Sequence, residues 1–488
     1  MSLPAAWAEP YSRRLRDDAA LPGLAQALDS AAIAPRLGDA LFTSRAERAR
    51  YRVQACRIVK ARYKPGRSCV LCYELTLEDR LARVLKRHCV SARLFPGDGS
   101  HGEFAKARER PLAAPPCGKA LVHCADLGMV AWAFPNDRKL RGLDELTNAA
   151  NLRARLLPSA LAASYGAVWR IGEAAVEVIN FVPNRSCTAR VNVRLQHRQS
   201  HAIKPLVLYG KIYAAEDSEA AYRIMRTLWD SPAHRDARLR VAQPLGHDHE
   251  RRLVWQRGVR GQRLIDQDMR APRFRVLLQG AARVLAALHG TAIAGLETVD
   301  PTELIAQAAT QSALLATVFP ELGRRLAALD QRFAAWAARL PQQALVTLHN
   351  DLHLKNFIVD GTAVTLIDVD SVRRGPPLHD VGSLFAYLRY RGLLLGLPTP
   401  WLEELEAAFL EAYCAASPWL LPAQDVRAYT AVALIGQRAA RALTRLKDSS
   451  ACPIEALIGL AERLAPRLAR THGCPSAGVD MPSPRAAI

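Results

Sequence analysis

The spacing of apolar and polar residues changes along the chain and divides it into regions of different secondary structure. Residues 1 to about 48 are rich in Ala and Leu and predict helices without a chemical motif. Two regions, from about 51 to 146 and from about 165 to 268, combine short strand-like apolar runs with basic loops. From about residue 272 helical spacing dominates, interrupted once by strand-like runs at 344–372. The pattern predicts an α+β protein whose C-terminal part is mainly helical.

The two β-rich regions contain matching segments. YKPGRSCVLCY at Tyr63–Tyr73 aligns with FVPNRSCTARV at Phe181–Val191. In both regions a basic residue stands 24 positions after the shared cysteine, Arg93 in the first and Lys211 in the second. A chance match between two basic turns is the alternative. The shared spacing favours a duplicated structural unit.

The strongly basic composition raises the question of an anionic partner. The 66 Lys and Arg residues exceed the 46 Asp and Glu residues, which gives a formal net charge of +20. This excess is spread along the chain, and no nucleic-acid-binding signature accompanies it, so we expect no nucleic-acid partner. No stretch approaches the roughly 20 apolar residues that span a bilayer, so we expect no membrane partner either. With no secretory signal at the start, a cytoplasmic location follows as the expectation.

The ten cysteines do not follow a metal-ligand pattern. Cys69 and Cys72 have the CxxC spacing, but the residues around them read as a strand, and no second pair completes a zinc site. Buried thiols in a reducing compartment are therefore the better interpretation.

Polar residues that could take part in catalysis or bind a metal are concentrated between Leu348 and Asp370. An apolar run ends at Leu348, and an Asp-Gly pair at 360–361 lies between two further apolar runs, which is a strong signal for a β-hairpin. The hairpin and the preceding strand would hold a group of oxygen- and nitrogen-bearing side chains in fixed positions: His349, Asp351, Asn356 and Asp368. Carboxylate and amide oxygens of this kind are the ligands that Mg²⁺ prefers.

The segments HNDLHLKN, LIDVDS and GPPLHDVGSLFAYL resemble the aminoglycoside phosphotransferase and choline kinase family, relatives of protein kinases. The resemblance implies that ATP and Mg²⁺ are bound, with Asp351 as the catalytic base and His349 as a further member of the catalytic loop. It also implies that Asn356 and Asp368 bind the metal and that Asp380 braces the loop.

Two positions depart from the family pattern. Asn350 replaces a glycine, which is tolerable because Asn adopts positive φ more readily than most residues. Pro376 replaces an aspartate, so we expect the support that this residue gives to be altered. Neither change removes a residue that the chemistry needs.

The resemblance also implies a bilobal protein-kinase-like fold with a small β-rich nucleotide lobe and a larger helical lobe. We predict the small lobe at 165–260, the helical lobe at 261–470 and a disordered tail at 471–488. An additional N-terminal α+β module at 1–150 would contain a degenerate copy of the nucleotide lobe at about 51–146. That copy has Arg93 where the small lobe has Lys211.

Within the small lobe, the resemblance assigns Lys211 to the ATP phosphates and Glu219 to orienting Lys211, with Glu216 as second choice. The turn that includes Ser186 would cover the phosphates. Gln256 and Gly258, in LVWQRGV, would hold adenine in the hinge between the lobes.

These inferences predict a phosphotransferase that moves the γ-phosphate of ATP to a hydroxyl group of a small molecule. A sugar, an aminoglycoside and an amino alcohol are all compatible acceptors, and the net charge favours an acidic or phosphorylated one. The alternative is a weak or inactive kinase-like module that binds nucleotide and regulates another process. The oligomeric state and any assistance from Asp370 stay open.

Overall fold

The computed structural model describes residues 18–215, 217–446 and 454–467 of the 488-residue chain. Glu216 and the predicted tail at 471–488 lie outside these residues. The first part contains helices α1 to α4 at Leu24–Leu28, Ser30–Leu41, Arg45–Arg50 and Gly99–Arg108. Its antiparallel sheet is formed by strands β1 to β5 at Tyr51–Lys64, Ser68–Asp79, Val84–Leu94, Leu121–Cys124 and Met129–Ala133.

The next part repeats this sequence of elements. Helices α5 to α7 at Leu143–Thr147, Ala149–Asn151 and Leu157–Tyr165 are followed by strands β6 to β10 at Trp169–Val182, Ser186–His197, Ile203–Tyr213, Pro244–Asp248 and Leu253–Arg257. Helices α8 and α9, at Asp217–Trp229 and Pro232–Arg235, lie between β8 and β9. The two sheets have equivalent strand orders, β1-β2-β3-β5-β4 and β6-β7-β8-β10-β9.

The turns that join the first two strands of each sheet are built alike. Gly66 and Asn184 occupy matching positions with φ of 65° and 62°, a conformation that glycine and asparagine tolerate best. Each donates its backbone N–H to an aspartate far upstream, Asp18 at 2.9 Å and Asp137 at 3.0 Å respectively. These equivalences support the predicted duplication, whose domain boundaries stay a prediction.

The helical part consists of helices α10 to α17 at Pro272–His289, Pro301–Val318, Gly323–Ala337, Leu378–Leu395, Thr399–Ala415, Ala423–Ala433, Ala440–Thr444 and Ile454–Leu464. A π-helical segment at Leu434–Ala439 joins α15 to α16. Short strands β11 to β15 lie at Gln262–Arg263, Val346–Leu348, Phe357–Asp360, Ala363–Leu366 and Arg373–Gly375. The β-hairpin predicted around the Asp-Gly pair is confirmed, because β13 and β14 are antiparallel partners joined there.

Apolar side chains connect these parts. The core of the first sheet belongs to the same buried cluster as the core of the helical part, whereas the second sheet has a separate core shared with α5 and α7. Cys69 and Cys72 lie in β2 as free thiols, which confirms the strand interpretation. Within the described residues, no helix is both long and apolar enough to cross a bilayer. The predicted α+β class, with β-rich parts followed by a mainly helical part, is confirmed.

Candidate active site

The loop predicted to be catalytic, residues 349–356, follows strand β12, which pairs with β15 and ends at Leu348. Asp380, in the first turn of α13, accepts the backbone N–H of His349 at 2.6 Å and that of Asn350 at 2.9 Å. Asp380 is fully buried and also contacts Nε2 of His289 at 3.2 Å. The prediction that Asp380 braces the loop from the following helix is confirmed.

The replacement of glycine by Asn350 is accommodated as predicted. Asn350 has φ of 67°, in the left-handed region that asparagine enters more easily than other residues with a side chain. Its side-chain oxygen lies 3.1 Å from Nε2 of the buried His379. The asparagine therefore adds a contact that a glycine cannot make.

His349 is fully buried and positions other residues. Its Nε2 lies 3.0 Å from the carbonyl oxygen of Ile367, so the ring joins the catalytic loop to the residue that precedes Asp368. Its Nδ1 has no hydrogen-bond partner among the described residues. Because the side chain is closed off from solvent, His349 does not touch a substrate in this conformation.

Asp351 is the half-exposed carboxylate of the loop. Its Oδ1 accepts a hydrogen bond from Nη2 of Arg441 at 3.1 Å, and 36% of its side chain is exposed. Burial alone would raise the pKa of Asp351, but Arg441, His353 and His349 together hold it below the usual range. An ionised, accessible carboxylate at this position can accept a proton from a hydroxyl group.

Lys211 links the second sheet to the segment after the hairpin. Its Nζ lies 2.7 Å from Oδ1 of Asp368 and 2.7 Å from Oδ2 of Asp370. Burial alone would lower the pKa of Lys211, but the two carboxylates raise it above its usual value. The ammonium group therefore stays charged at the junction of the two lobes.

The two carboxylates on Lys211 differ. Lys211 outweighs the effect of burial on Asp368 and lowers its pKa, whereas burial and the neighbouring charge of Asp368 raise the pKa of Asp370. Asp368 has φ of 63°, and half of its side chain is exposed, so its carboxylate is accessible to a ligand. Asp370 is the more enclosed of the two, with 16% of its side chain exposed.

The residues predicted to bind a metal fit that role in part. Asn356 is buried, and its Oδ1 has no hydrogen-bond partner among the described residues, as expected of an oxygen kept for a ligand. Asp368 offers the carboxylate. No group of three or more His, Cys, Asp or Glu in the described chain could hold an ion alone. Two protein ligands fit Mg²⁺, which commonly completes its shell with phosphate and water oxygens.

The structure does not bring Glu219 to Lys211. The side chain of Glu219 is 74% exposed and lies 3.9 Å from His249. Ser186 is buried next to the turn, and its backbone is paired with that of Tyr213. Gln256 is half-buried in β10, and the backbone N–H of Gly258 is engaged with the carbonyl of Val207 at 2.7 Å. The predicted adenine contacts of Gln256 and Gly258 stay predictions.

Arg438, Arg441 and Arg445 were not singled out from the sequence. Their spacing of three and then four residues would place all three on one side of a helix, which is a signal that sequence reasoning could have used.

Pro376 begins the turn that leads into α13, where the carbonyl oxygen of Pro376 accepts a hydrogen bond from the backbone N–H of His379.

A cavity of about 1860 Å³ lies away from these residues. It is lined by α8, α10 and the β13–β14 hairpin, and Glu219 is the one predicted site residue on its wall. The residues of the catalytic loop do not line it. The candidate active site is therefore defined by the arrangement of its side chains and not by this cavity.

Residues 192–430, just under half of the chain, match the Phosphotransferase enzyme family (APH). No curated protein matches the chain. Among solved structures, the aminoglycoside phosphotransferase APH(4)-Ia in ternary complex with ADP and hygromycin B shares 14% identity over 62% of this chain and 97% of its own, with a TM-score of 0.42. A choline/ethanolamine kinase family protein from Mesorhizobium loti shares 14% identity over 64% and 91%, with a TM-score of 0.39. The macrolide 2'-phosphotransferase MphH from Brachybacterium faecium shares 18% identity over 63% and 97%, with a TM-score of 0.36.

Proposed function

We propose that the protein is an ATP-dependent kinase of a small molecule, on the premise that residues 192–430 match the phosphotransferase enzyme family. The observation that carries the proposal is the contact of Lys211, from the second sheet, with Asp368 and Asp370, which follow the hairpin of the helical lobe. More than 150 residues separate these groups in the sequence. A cation and two carboxylates at the junction of the lobes are what phosphoryl transfer requires.

In this proposal each residue has a defined task. Lys211 binds the phosphates of ATP, while Asn356 and Asp368 hold Mg²⁺, which supplies positive charge against the phosphate oxygens when it is bound. Asp351 accepts the proton of the acceptor hydroxyl. The hydroxyl oxygen forms a bond to the γ-phosphorus as the bond from that phosphorus to the β-phosphate oxygen breaks, and the proton passes from Asp351 to water.

The alternative is a kinase-like nucleotide-binding regulator. The observation that favours it is the hydrogen bond from Arg441 to Asp351, which occupies one oxygen of the proposed base. The second oxygen of Asp351 and the exposed part of its side chain leave room for an acceptor, so catalysis is the better supported of the two.

A cytoplasmic location is part of the proposal. The eight cysteines in the described residues are all free, which supports a reducing compartment.

The test is an ATP-consumption screen over sugars, aminoglycosides, amino alcohols and choline-like compounds. We expect turnover with at least one acceptor class, and a decrease in kcat of about 10²- to 10⁴-fold for Asp351→Asn, since that is the usual contribution of a general base. Asp360→Asn is the matched control: it removes an exposed carboxylate nine residues away, and Asn-Gly forms the same hairpin turn as Asp-Gly. ATP binding without turnover of any acceptor would favour the regulator, and full activity of Asp351→Asn would exclude Asp351 as the base.

A further inference from the structure

The proposed base lies beside a group of positively charged side chains. Arg441, at the start of α16, donates to Asp351, and Arg438 precedes it in the π-helical segment Leu434–Ala439. Interruptions of this kind in helices are frequent at functional sites because they redirect side chains. Two guanidinium groups of the helical lobe therefore lie on the side of the site where Asp351 meets an acceptor.

Arg438 is the innermost of these cations. It is 7% exposed, its guanidinium carbon lies 4.8 Å from the ring centroid of Tyr387, and its Nε has no hydrogen-bond partner among the described residues. Burial, followed by repulsion from Arg441, lowers the pKa of Arg438 to about 10. A buried guanidinium with an unused donor is unfavourable unless an anion completes its contacts.

Arg185 and Arg445 form the outer part of the same group. Arg185 lies in the turn between β6 and β7, and its charge acts on Arg445, which is four residues beyond Arg441. Both side chains are reached by solvent. Arg445 is nevertheless enclosed enough that burial, and then Arg441, lowers its pKa. The small lobe and the helical lobe thus contribute like charges to one group of cations.

The N-terminal module supplies the remaining side. Helix α16 packs against β1, the long first strand of the N-terminal sheet. Lys60 of β1 donates a hydrogen bond to the side chain of Asn180 in β6. The charge of Arg445 acts on Lys60, and the charge of Arg185 acts on Arg62. Three separate parts of the chain therefore contribute cations to the same group.

The balance of charge in this group of cations points to a ligand. Six cations contribute: Lys60, Arg62, Arg185, Arg438, Arg441 and Arg445. The one ion pair that these six make within the described residues is Arg441 with Asp351. Like charges this close repel one another, so the arrangement is destabilising unless it serves to hold an anion.

We propose that the acceptor is a phosphorylated alcohol, whose existing phosphate binds to these six cations while its free hydroxyl contacts Asp351. The N-terminal module closes this acceptor site. The inference rests on the proposed kinase function. A phosphate carries nearly two negative charges and accepts paired N–H donors from arginine, so it matches several guanidinium groups better than a single carboxylate does. The position of the cations also assigns them to the acceptor. Three of them belong to the helical lobe near Asp351, the proposed base, whereas Lys211 lies where the nucleotide phosphates are proposed to bind.

The test pairs each phosphorylated alcohol with its neutral parent: hexose 6-phosphate with hexose, glycerol 3-phosphate with glycerol, and inositol monophosphate with inositol. Glycerate serves as a carboxylate probe and an aminoglycoside as a cationic one. Calorimetry measures binding, and ATP consumption measures kcat/KM. We expect at least one phosphorylated compound to be preferred at least tenfold over its parent in both measurements.

Arg445→Gln and Arg62→Gln test the residues, since both side chains are exposed and neither substitution disturbs the core. Each is expected to raise the acceptor KM about tenfold or more and leave the KM for ATP unchanged. Arg324→Gln, which removes an exposed charge from α12, is the matched control and is expected to change neither.

The outcomes separate this inference from the proposed function. Turnover of neutral, cationic or carboxylate acceptors without a preference for phosphate overturns the inference and leaves the kinase function standing. Loss of ATP affinity in Arg445→Gln, with acceptor selectivity unchanged, assigns the arginines to the nucleotide and also overturns it. If no phosphorylated probe binds, the inference fails whatever the turnover. Binding of a phosphorylated probe without any ATP turnover supports the anion site and contradicts the kinase function.

Discussion

Asp380 and Asn350 show how single residues prepare the catalytic loop. Burial alone would raise the pKa of Asp380, but its contact with His289 and the nearby His379 hold it below its usual range. An ionised carboxylate buried at this position can accept both backbone N–H groups of the loop. Asn350 in turn takes the conformation that this arrangement demands, with φ of 67°.

The first prediction concerns Asn350 and separates its backbone conformation from its side-chain contact. Asn350→Gly loses the contact with His379 and no more, whereas Asn350→Ala loses the same contact and adds the strain of a left-handed backbone. We expect Asn350→Ala to be less stable than Asn350→Gly by about 1–2 kcal/mol, the usual penalty for this conformation. Urea unfolding of the two variants measures the difference. Equal stabilities would mean that the loop relaxes to a different backbone conformation in the alanine variant.

At the scale of elements, the two sheets use the same device to fix their first turn. Asp137 accepts the backbone N–H groups of Lys139, Leu140 and Asn184, and burial raises its pKa despite these donors. In the N-terminal sheet, Asp18 accepts from the N–H of Gly66 and from the hydroxyl of Tyr63. The turn held by Asp137 leads to Ser186 and Lys211, and the turn held by Asp18 leads to Arg93. In our proposal, the same turn construction therefore supports a nucleotide site in the second sheet and not in the N-terminal one.

The second prediction uses this equivalence as its control. Asp137→Ala and Asp18→Ala should each lower the free energy of unfolding by about 1–3 kcal/mol, because both leave partly buried donors without a protein partner. Asp137→Ala alone should raise the KM for ATP severalfold, since the turn it holds is the one proposed to cover the phosphates. Steady-state kinetics with varied ATP checks this. Equal effects of the two variants on the KM for ATP would contradict the assignment of that turn.

At the scale of the whole molecule, the N-terminal module is part of the packed protein. Its core is continuous with that of the helical lobe, and its strand β1 lies against the helix that carries Arg441. Loss of the module would therefore expose apolar surface of the helical lobe and remove Lys60 and Arg62 from the proposed acceptor site. This packing gives the N-terminal module a structural role that does not depend on a complete set of nucleotide-binding residues.

The third prediction concerns the stability of the whole fold as the pH falls. His88 lies in β3 within the N-terminal sheet, and burial lowers its pKa from 6.5 to about 4. The unfolded chain binds a proton at this residue below about pH 6.5, whereas the folded chain does not until about pH 4. The free energy of unfolding should therefore decrease as the pH falls from 6.5 to 4, by on the order of 3 kcal/mol from this residue.

Urea unfolding at several pH values between 4 and 7.5 measures this dependence. His88→Leu should flatten the pH dependence in that interval. His249→Gln is the control, because the side chain of His249 is 86% exposed and its surroundings change little on folding. An unchanged slope in His88→Leu would show that other buried groups, such as His353, dominate the acid sensitivity.

The sequence by itself determined the local elements and the motif they carry. The Asp-Gly hairpin, the strand with Lys211, the helix after it and the loop from His349 to Asn356 are encoded by nearest neighbours, because turn residues and apolar spacing act within a few positions. The similarity of the two β-rich regions was visible for the same reason. The brace by Asp380 was available only through the resemblance to a family.

Tertiary structure alone decided which charges meet. Glu219 lies on the expected helix, yet Lys211 contacts Asp368 and Asp370, because the distance between the lobes and the direction of each side chain depend on packing that no local pattern encodes. The group of six cations is the clearest case, since its members come from β1, the β6–β7 turn and the end of the helical lobe. Their positive charges are only a diffuse excess in the sequence, and the fold brings them together, with Arg438, Arg441 and Arg445 near enough to interact with the charge of Asp351.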